Sequence, residues 1–133
     1  MAKEIVWETS FKNAVELAKK RNKPVLAFFF DPCCEACNRV KSCTLISGRV
    51  QDSVNAYFIP IRYESGADSE QFMRFGVTAR PAIIVFDDEG TEIFRKIGYF
   101  EPEMFITKLE MALKKAAHKS ARCHGSLGSD RAA

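Results

Sequence analysis

Fourteen residues decide the fold of this chain: Pro24-Val25-Leu26-Ala27-Phe28-Phe29-Phe30-Asp31-Pro32-Cys33-Cys34-Glu35-Ala36-Cys37. The apolar run over residues 25–30 predicts a strand that is covered on both faces, and a helix is expected to begin near Cys34. A sulfur at the start of a helix lies at the positive end of the helix dipole, which favours thiolate over thiol. The sulfur of Cys37 follows one turn later, close enough to close a small disulfide. This pattern is typical of a dithiol redox centre.

The composition indicates one globular domain that needs no disulfide framework. The chain has 133 residues, is 47% hydrophobic and contains 11 Phe, which is enough for an aromatic-rich core. Its five cysteines are an odd number, and Cys33, Cys34 and Cys37 crowd one turn. Structural cross-links between distant segments are not expected there, so the thiols are predicted to be reactive or metal-binding.

Charge is distributed unevenly along the chain. Residues 1–113 carry 15 Lys and Arg against 16 Asp and Glu, whereas residues 114–133 carry 5 against 1. The folded part therefore shows no basic excess that would suggest nucleic acid. The last residues also lack hydrophobic periodicity, so we predict a folded domain over 1–117 and a disordered basic tail over 118–133.

Neither a signal peptide nor a membrane span is evident in the sequence. Met1-Ala2-Lys3-Glu4-Ile5 lacks the apolar stretch of a leader, and no run reaches membrane-spanning length. The sequence as written predicts a cytoplasmic protein, or a periplasmic one if a leader has been removed.

The order of predicted elements is β-α-β-α-(α)-β-α-β-β-α, which indicates a mixed sheet with helices on both faces. Pro81 introduces the strand Ala82–Phe86, and the turn Asp87-Asp88-Glu89-Gly90 joins it to a second strand. The other predicted elements are short strands at Ile5–Trp7 and Phe58–Tyr63, helices near 10–21, 34–45, 49–56 and 69–75, and a last helix that starts at Pro102.

The cysteine motif after the second strand and the proline before a later strand resemble the thioredoxin fold. The resemblance covers about residues 5–115 and is closest to the C-terminal thiol-disulfide interchange domain of the DsbD type. It is carried by Lys23-Pro24-Val25, Cys34-Glu35-Ala36-Cys37, Val77-Thr78-Ala79-Arg80-Pro81, Phe86-Asp87-Asp88-Glu89-Gly90 and Gly98-Tyr99.

The resemblance implies a role for each matching residue. Cys34 is expected to attack substrate disulfides and Cys37 to resolve the mixed disulfide. Pro81 is expected to follow a cis peptide bond and, with Arg80, to bind an extended substrate segment. The guanidinium of Arg80 is interpreted either as a solvated charge or as a group near Cys34 that stabilises thiolate and favours acidic partners.

Two positions depart from the family pattern. Cys33 stands where the family usually has tryptophan, and it is interpreted as a small apolar filler, a third redox thiol or a metal ligand. Phe28 stands where the family usually buries an acid that helps to deprotonate the resolving thiol. Asp31 and Glu35 are the nearest carboxylates, and both are expected to lie at the surface, where they modulate the local field. Cys43 is expected to be buried in the helix.

We therefore predict a thiol–disulfide oxidoreductase that acts on protein disulfides. No bound cofactor is expected because the Cys34–Cys37 pair is itself the redox centre, and no metal site is predicted. The expected partners are protein disulfide substrates and an unidentified electron donor, without nucleic acid or a membrane span, and the protein is expected to be a monomer. Two alternatives stay open: a redox-inactive peptide-binding adaptor, and a zinc or copper carrier that uses Cys33, Cys34 and Cys37.

Overall fold

The computed structural model describes residues 4–127, and for 118–127 it describes the backbone alone. Its helices and strands alternate along most of the chain, as the sequence predicts. They are α1 (Phe11–Arg21), β1 (Val25–Phe30), α2 (Glu35–Arg39), a π-helical turn (Val40–Thr44), α3 (Gly48–Tyr57), β2 (Ile59–Glu64), α4 (Ser69–Arg74), β3 (Ala82–Phe86), β4 (Glu92–Ile97) and α5 (Pro102–Leu127).

The four strands form one mixed sheet in the order β2-β1-β3-β4. Strand β1 runs parallel to β2 and antiparallel to β3, and β3 and β4 form an antiparallel pair. The mixed sheet flanked by helices confirms the predicted fold class. Strand β1 is a central strand and runs antiparallel to β3. The cysteine motif that follows β1 therefore lies at the end of the sheet where β3 begins.

Alternation along β1 supplies both faces of the sheet with apolar side chains. Leu26, Phe28 and Phe30 pack in a cluster with α3 and α5, while Val25, Ala27 and Phe29 pack in a second cluster with α1 and α4. All six side chains of β1 are buried. A continuous apolar run therefore forms a strand here because helices cover it on both sides.

The predicted strand at Ile5–Trp7 is wrong. The structure has a single parallel bridge between Glu8 and Ile61, in which the Glu8 amide donates to the Pro60 carbonyl over 2.8 Å. A residue of a strand points its N–H and C=O to the same side, so the missing N–H of Pro60 lies on this outer edge. The segment before Glu8 consequently finds no second donor with which to extend the ladder.

The predicted single helix over 34–45 is divided into α2 and the π-helical turn. The Leu45 amide bonds to the Val40 carbonyl over 2.8 Å, five residues back, and the wider turn buries Thr44 completely. The Thr44 hydroxyl donates to the Phe100 carbonyl over 2.6 Å. Cys43 is exposed, so the prediction that it is buried is wrong, because the wider turn directs Thr44 toward the core instead.

The last helix is longer than predicted. Helix α5 runs from Pro102 to Leu127, past the predicted boundary at 117, and 128–133 lie outside the described residues, so the division into a domain and a tail stays a prediction. Extending an existing helix costs far less than nucleating one, and Ala116, Ala117 and Ala121 are strong helix formers.

Candidate active site

Cys34 caps the amino end of α2 through its side chain. Its backbone is extended, with φ −89° and ψ 121°, and its Sγ accepts a hydrogen bond from the Cys37 amide over 3.2 Å. This amide is one of the donors that the first turn of a helix leaves unsatisfied. Cys34 is partly exposed, so a sulfur that already accepts an amide hydrogen bond is accessible to a reactant from solvent.

Cys37 has the opposite environment. It is fully buried in the core cluster that contains Phe28, and both cysteines are free thiols. Burial raises the pKa of the Cys37 thiol to about 11, and its hydrogen bond with the Cys34 side chain acts in the same direction. A backbone hydrogen bond at Asp31 opposes the shift in part. The pair therefore consists of an accessible sulfur and a resolving thiol that is hard to deprotonate.

Asp31 shapes the turn that leads into the motif. Its Oδ1 accepts from the Cys33 amide over 2.8 Å, and its carbonyl accepts from the Cys34 amide over 3.0 Å. Cys33 is exposed, so its interpretation as an apolar filler is wrong, because the aspartate turn directs it to solvent. Glu35 is the first residue of α2 and is also exposed.

The backbone of Arg80, the residue before Pro81, contacts the thiol of Cys34. The peptide bond between Arg80 and Pro81 is cis, and the Arg80 carbonyl lies 3.9 Å from Sγ of Cys34. The Arg80 side chain turns to the other core cluster, where its Cζ lies 4.9 Å from the centre of the Phe72 ring. Among the described residues, the buried Nε of Arg80 has no hydrogen-bond partner. The guanidinium therefore rests on the Phe72 ring, with Nε buried, while the residue as a whole remains partly exposed.

The Arg80 side chain lines a groove of about 410 Å³ on the α4 side of the sheet, while the backbone carbonyl of the same residue contacts Cys34. The other walls come from Phe72 and Met73 of α4 and from the loops around Gly66 and Gly76. The side chain of Met73 is 82% exposed here, so the groove combines one cation with an accessible apolar side chain.

Arg95 of β4 holds the loop before the cis peptide, a role that sequence reasoning missed. Its two terminal nitrogens donate to the carbonyls of Phe75 over 2.6 Å and Gly76 over 3.2 Å. Its Nε and Nη2 each also donate to the Glu92 carboxylate over 2.8 Å. This bidentate pair lowers the pKa of Glu92 and raises that of Arg95. The Glu-x-x-Arg spacing on one strand was a weak signal, because many exposed pairs share it.

Phe28 is a core residue, as predicted. Its side chain is 1% exposed, stacks on Phe30 at 5.5 Å between ring centres, and lies 6.1 Å from the Trp7 ring. An apolar ring thus occupies the position from which a carboxylate would serve Cys37. The single Trp of the chain covers this position, which the sequence did not reveal.

Two expectations concern a metal site and a membrane span. Among residues 4–117, whose side chains are described, no group of three or more His, Cys, Asp or Glu is arranged to hold a metal ion. None of the helices described is both long and apolar enough to cross a bilayer.

Sequence comparison finds a family match over most of the chain. The family model described as a thioredoxin-like domain matches residues 11–113. The thiol:disulfide interchange protein DsbD of Cronobacter sakazakii (strain ATCC BAA-894) is 29% identical over 103 residues, which is 74% of this chain. The chain matches only 18% of the length of that protein.

Solved structures share the fold. A thioredoxin from Thermus thermophilus superposes with a TM-score of 0.75 and 17% identity, over 98% of this chain and 100% of that one. The oxidised C-terminal domain of DsbD from Neisseria meningitidis gives 0.66 and 19% identity, over 80% of this chain and 98% of that one. At these identities the likeness establishes the fold alone.

Proposed function

The chain belongs to the thioredoxin-like domain family, and from this premise we propose that it is a thiol–disulfide oxidoreductase acting on protein disulfides. One observation carries the proposal: the half-exposed Sγ of Cys34 accepts the Cys37 amide at 3.2 Å and lies 3.9 Å from the Arg80 carbonyl. An accessible sulfur beside the backbone of the Arg80-Pro81 loop supports attack on a disulfide in an extended chain that lies along this loop.

The proposed reaction proceeds in two exchanges. The Cys34 thiolate attacks one sulfur of the substrate disulfide, that bond breaks, and the other substrate sulfur leaves as a thiolate that takes a proton from solvent. Cys37 then loses its proton and attacks Cys34, which releases the second substrate thiol and forms the Cys34–Cys37 disulfide. Two electrons pass to the substrate, and a dithiol electron donor must reduce the pair again. No other cofactor is proposed.

The neighbouring residues have supporting roles in this proposal. Arg80 and Pro81 present the substrate segment to Cys34, while Asp31 holds the turn that exposes the motif. Glu35 and Cys33 are exposed beside Cys34 and modulate its field and its access to oxidants. We propose that the domain acts as a monomer in either the cytoplasm or the periplasm and binds no nucleic acid.

A second candidate function is a peptide-binding adaptor without redox turnover. The specific observation in its favour is Phe28, a buried ring where the resemblance would place a carboxylate, in a core where burial raises the pKa of Cys37 to about 11. Such a domain would still hold extended peptides along the Arg80-Pro81 loop.

A redox titration distinguishes the two functions. The protein is equilibrated in dithiothreitol buffers of defined potential, alkylated and analysed by mass, with Cys34→Ser as the control. The oxidoreductase predicts reversible formation of the Cys34–Cys37 disulfide together with catalytic reduction of insulin disulfides that Cys34→Ser abolishes. A pair that does not cycle, with insulin reduced no faster than by the buffer, would establish the adaptor instead.

A further inference from the structure

A cavity of about 220 Å³ lies on the side of the sheet that carries α3 and α5, away from the Arg80 groove. Its floor is aromatic: Phe28 and Phe30 stack with an 11° angle between their rings, and Trp7 lies against Phe28. Leu45 and the exposed Ile46 close one side. Phe28 and Phe30 are themselves buried, so the accessible apolar walls of this slot include Trp7 and Ile46.

Two cations line this slot. Lys41 Nζ lies 4.4 Å from the centre of the Phe30 ring, and Arg62 Cζ lies 5.7 Å from that of Trp7. Arg62 is the cross-strand partner of Phe28, which places both side chains on the same face of the sheet. Within residues 4–127 the observed ion pairs are Arg49–Glu103 and Arg95–Glu92, so both cations at the slot rest on aromatic faces instead of carboxylates.

The charge around the slot favours an anion. Glu4 is the one acidic side chain among its lining residues, against the two cations. A carboxylate entering at the mouth would accept charge-assisted hydrogen bonds from Lys41 and Arg62, which form no ion pair with a described carboxylate. Its apolar portion would meanwhile replace water on Trp7 and Ile46.

We propose that this slot is a binding site for a small aromatic carboxylate with a single ring. Its volume sets the size, because an engineered cavity of roughly 150 Å³ in another protein admits benzene, and about 220 Å³ leaves room for a carboxylate arm as well. Trp7 and Ile46 take the aromatic group, and Lys41 and Arg62 take the charge. The site is separate from the cysteine pair and stands whether or not the pair is redox-active.

A ligand in this slot would contact residues that adjoin α2, the helix that begins at the cysteine pair. Lys41 belongs to the π-helical turn that directly follows α2, and Phe28 shares a core cluster with Cys37. A ligand held between Trp7 and Lys41 thus contacts the turn after the motif directly and lies above the strand before it through Trp7 and Phe28.

Trp7 provides a direct test, because it is the only tryptophan in the chain and lines the slot. We expect its emission to change saturably when phenylacetate is added to the full chain, and to change little with 2-phenylethylamine, which carries the same ring with a positive charge. Acetate at the same concentrations controls for the carboxylate without the ring.

Charge variants then locate the site. Lys41→Met and Arg62→Met should each weaken phenylacetate binding by roughly threefold or more, and Glu4→Gln should strengthen it, because removing the acid removes repulsion. Lys12→Met, an equal loss of charge on the exposed side of α1, should leave the affinity unchanged. Thermal melts verify that each variant is folded. Absence of a saturable change, equal affinity for the amine, or equal effects of Lys41→Met and Lys12→Met would overturn the proposal.

Discussion

The amide of Cys37 donates a hydrogen bond to the sulfur of Cys34 over 3.2 Å, so the buried residue of the pair supports the exposed one through its backbone. The same residue offers a side chain that resists ionisation, because burial raises its pKa to about 11. One helical turn thus gives two thiols opposite chemical properties. The four predictions below depend on this difference and on the residues that surround it.

The first prediction is that Cys34 reacts well before Cys37. In a background with Cys33, Cys43 and Cys123 changed to Ser, iodoacetamide near neutral pH should modify Cys34 at least about tenfold faster, because the thiolate is the nucleophile and Cys37 is buried. Peptide mapping by mass measures both rates. Cys37→Ser should trap a mixed disulfide through Cys34, and equal labelling of the two thiols would contradict the assignment of roles.

The second prediction concerns the pH dependence of resolution. The pKa of Cys37 is raised to about 11, so the thiolate of this residue is scarce at neutral pH and its fraction grows as pH rises toward 11. Decay of the mixed disulfide should therefore accelerate by roughly tenfold for each pH unit below that value. Stopped-flow kinetics from neutral to alkaline pH measure this rate. A rate that does not change with pH would mean that another group serves as the base.

The third prediction places a base where Phe28 stands. Phe28→Asp should accelerate resolution near neutral pH, because a carboxylate beside Cys37 can accept its proton. The same change should lower the free energy of unfolding by on the order of several kcal/mol, since it removes a ring that is 1% exposed and buries a carboxyl group.

Phe28→Asn is the matched control for that variant. It has nearly the same shape as Phe28→Asp and should destabilise the fold to a similar degree, but it cannot accept the proton. Urea unfolding measures stability and stopped-flow decay measures resolution. If both variants accelerate resolution equally, loosened packing rather than proton transfer is the cause.

The fourth prediction concerns substrate charge at Arg80. Disulfide peptides with Glu next to the attacked cysteine should react roughly two- to fivefold faster than the same peptides with Lys, because the guanidinium lines the adjacent groove. Arg80→Met, which keeps an apolar stem over Phe72, should remove this preference, and added salt should reduce it in the wild type.

Arg74→Met is the control for charge alone. Arg74 lies on the same side of the sheet, with its Cζ 4.9 Å from the Phe75 ring, but it does not line the groove. A preference for acidic peptides that survives Arg80→Met, or that is lost equally in Arg74→Met, would assign the selectivity to the general field of the surface.

Most of the fold was predictable because its signals are local. A six-residue apolar run that follows a proline is typical of a strand covered on both faces, and Pro102 at a first helical turn predicts where α5 begins. The errors occur where a local pattern was ambiguous. The sequence of Ile5–Trp7 is typical of a strand, but Pro60 on the neighbouring strand has no N–H to pair with it. The helix through Cys43 contains a wider turn that the periodicity of its sequence did not indicate.

The sequence by itself determined the cysteine pair, its place at the start of a helix and the phenylalanine in place of an acid, because spacing and residue type encode these features directly. Only the tertiary structure decided the exposure of Cys33, the partner of the Arg80 guanidinium and the slot between Trp7 and Phe28. The exposure of Cys33 depends on how the Asp31 side chain folds the turn, and the other two depend on which side chains of other elements fill the neighbouring space. Asp31 holds the turn that exposes Cys33, Phe72 receives the Arg80 side chain, and the strand partner of Phe28 supplies Arg62. Contacts between residues far apart in sequence arise from packing, which no single local pattern records.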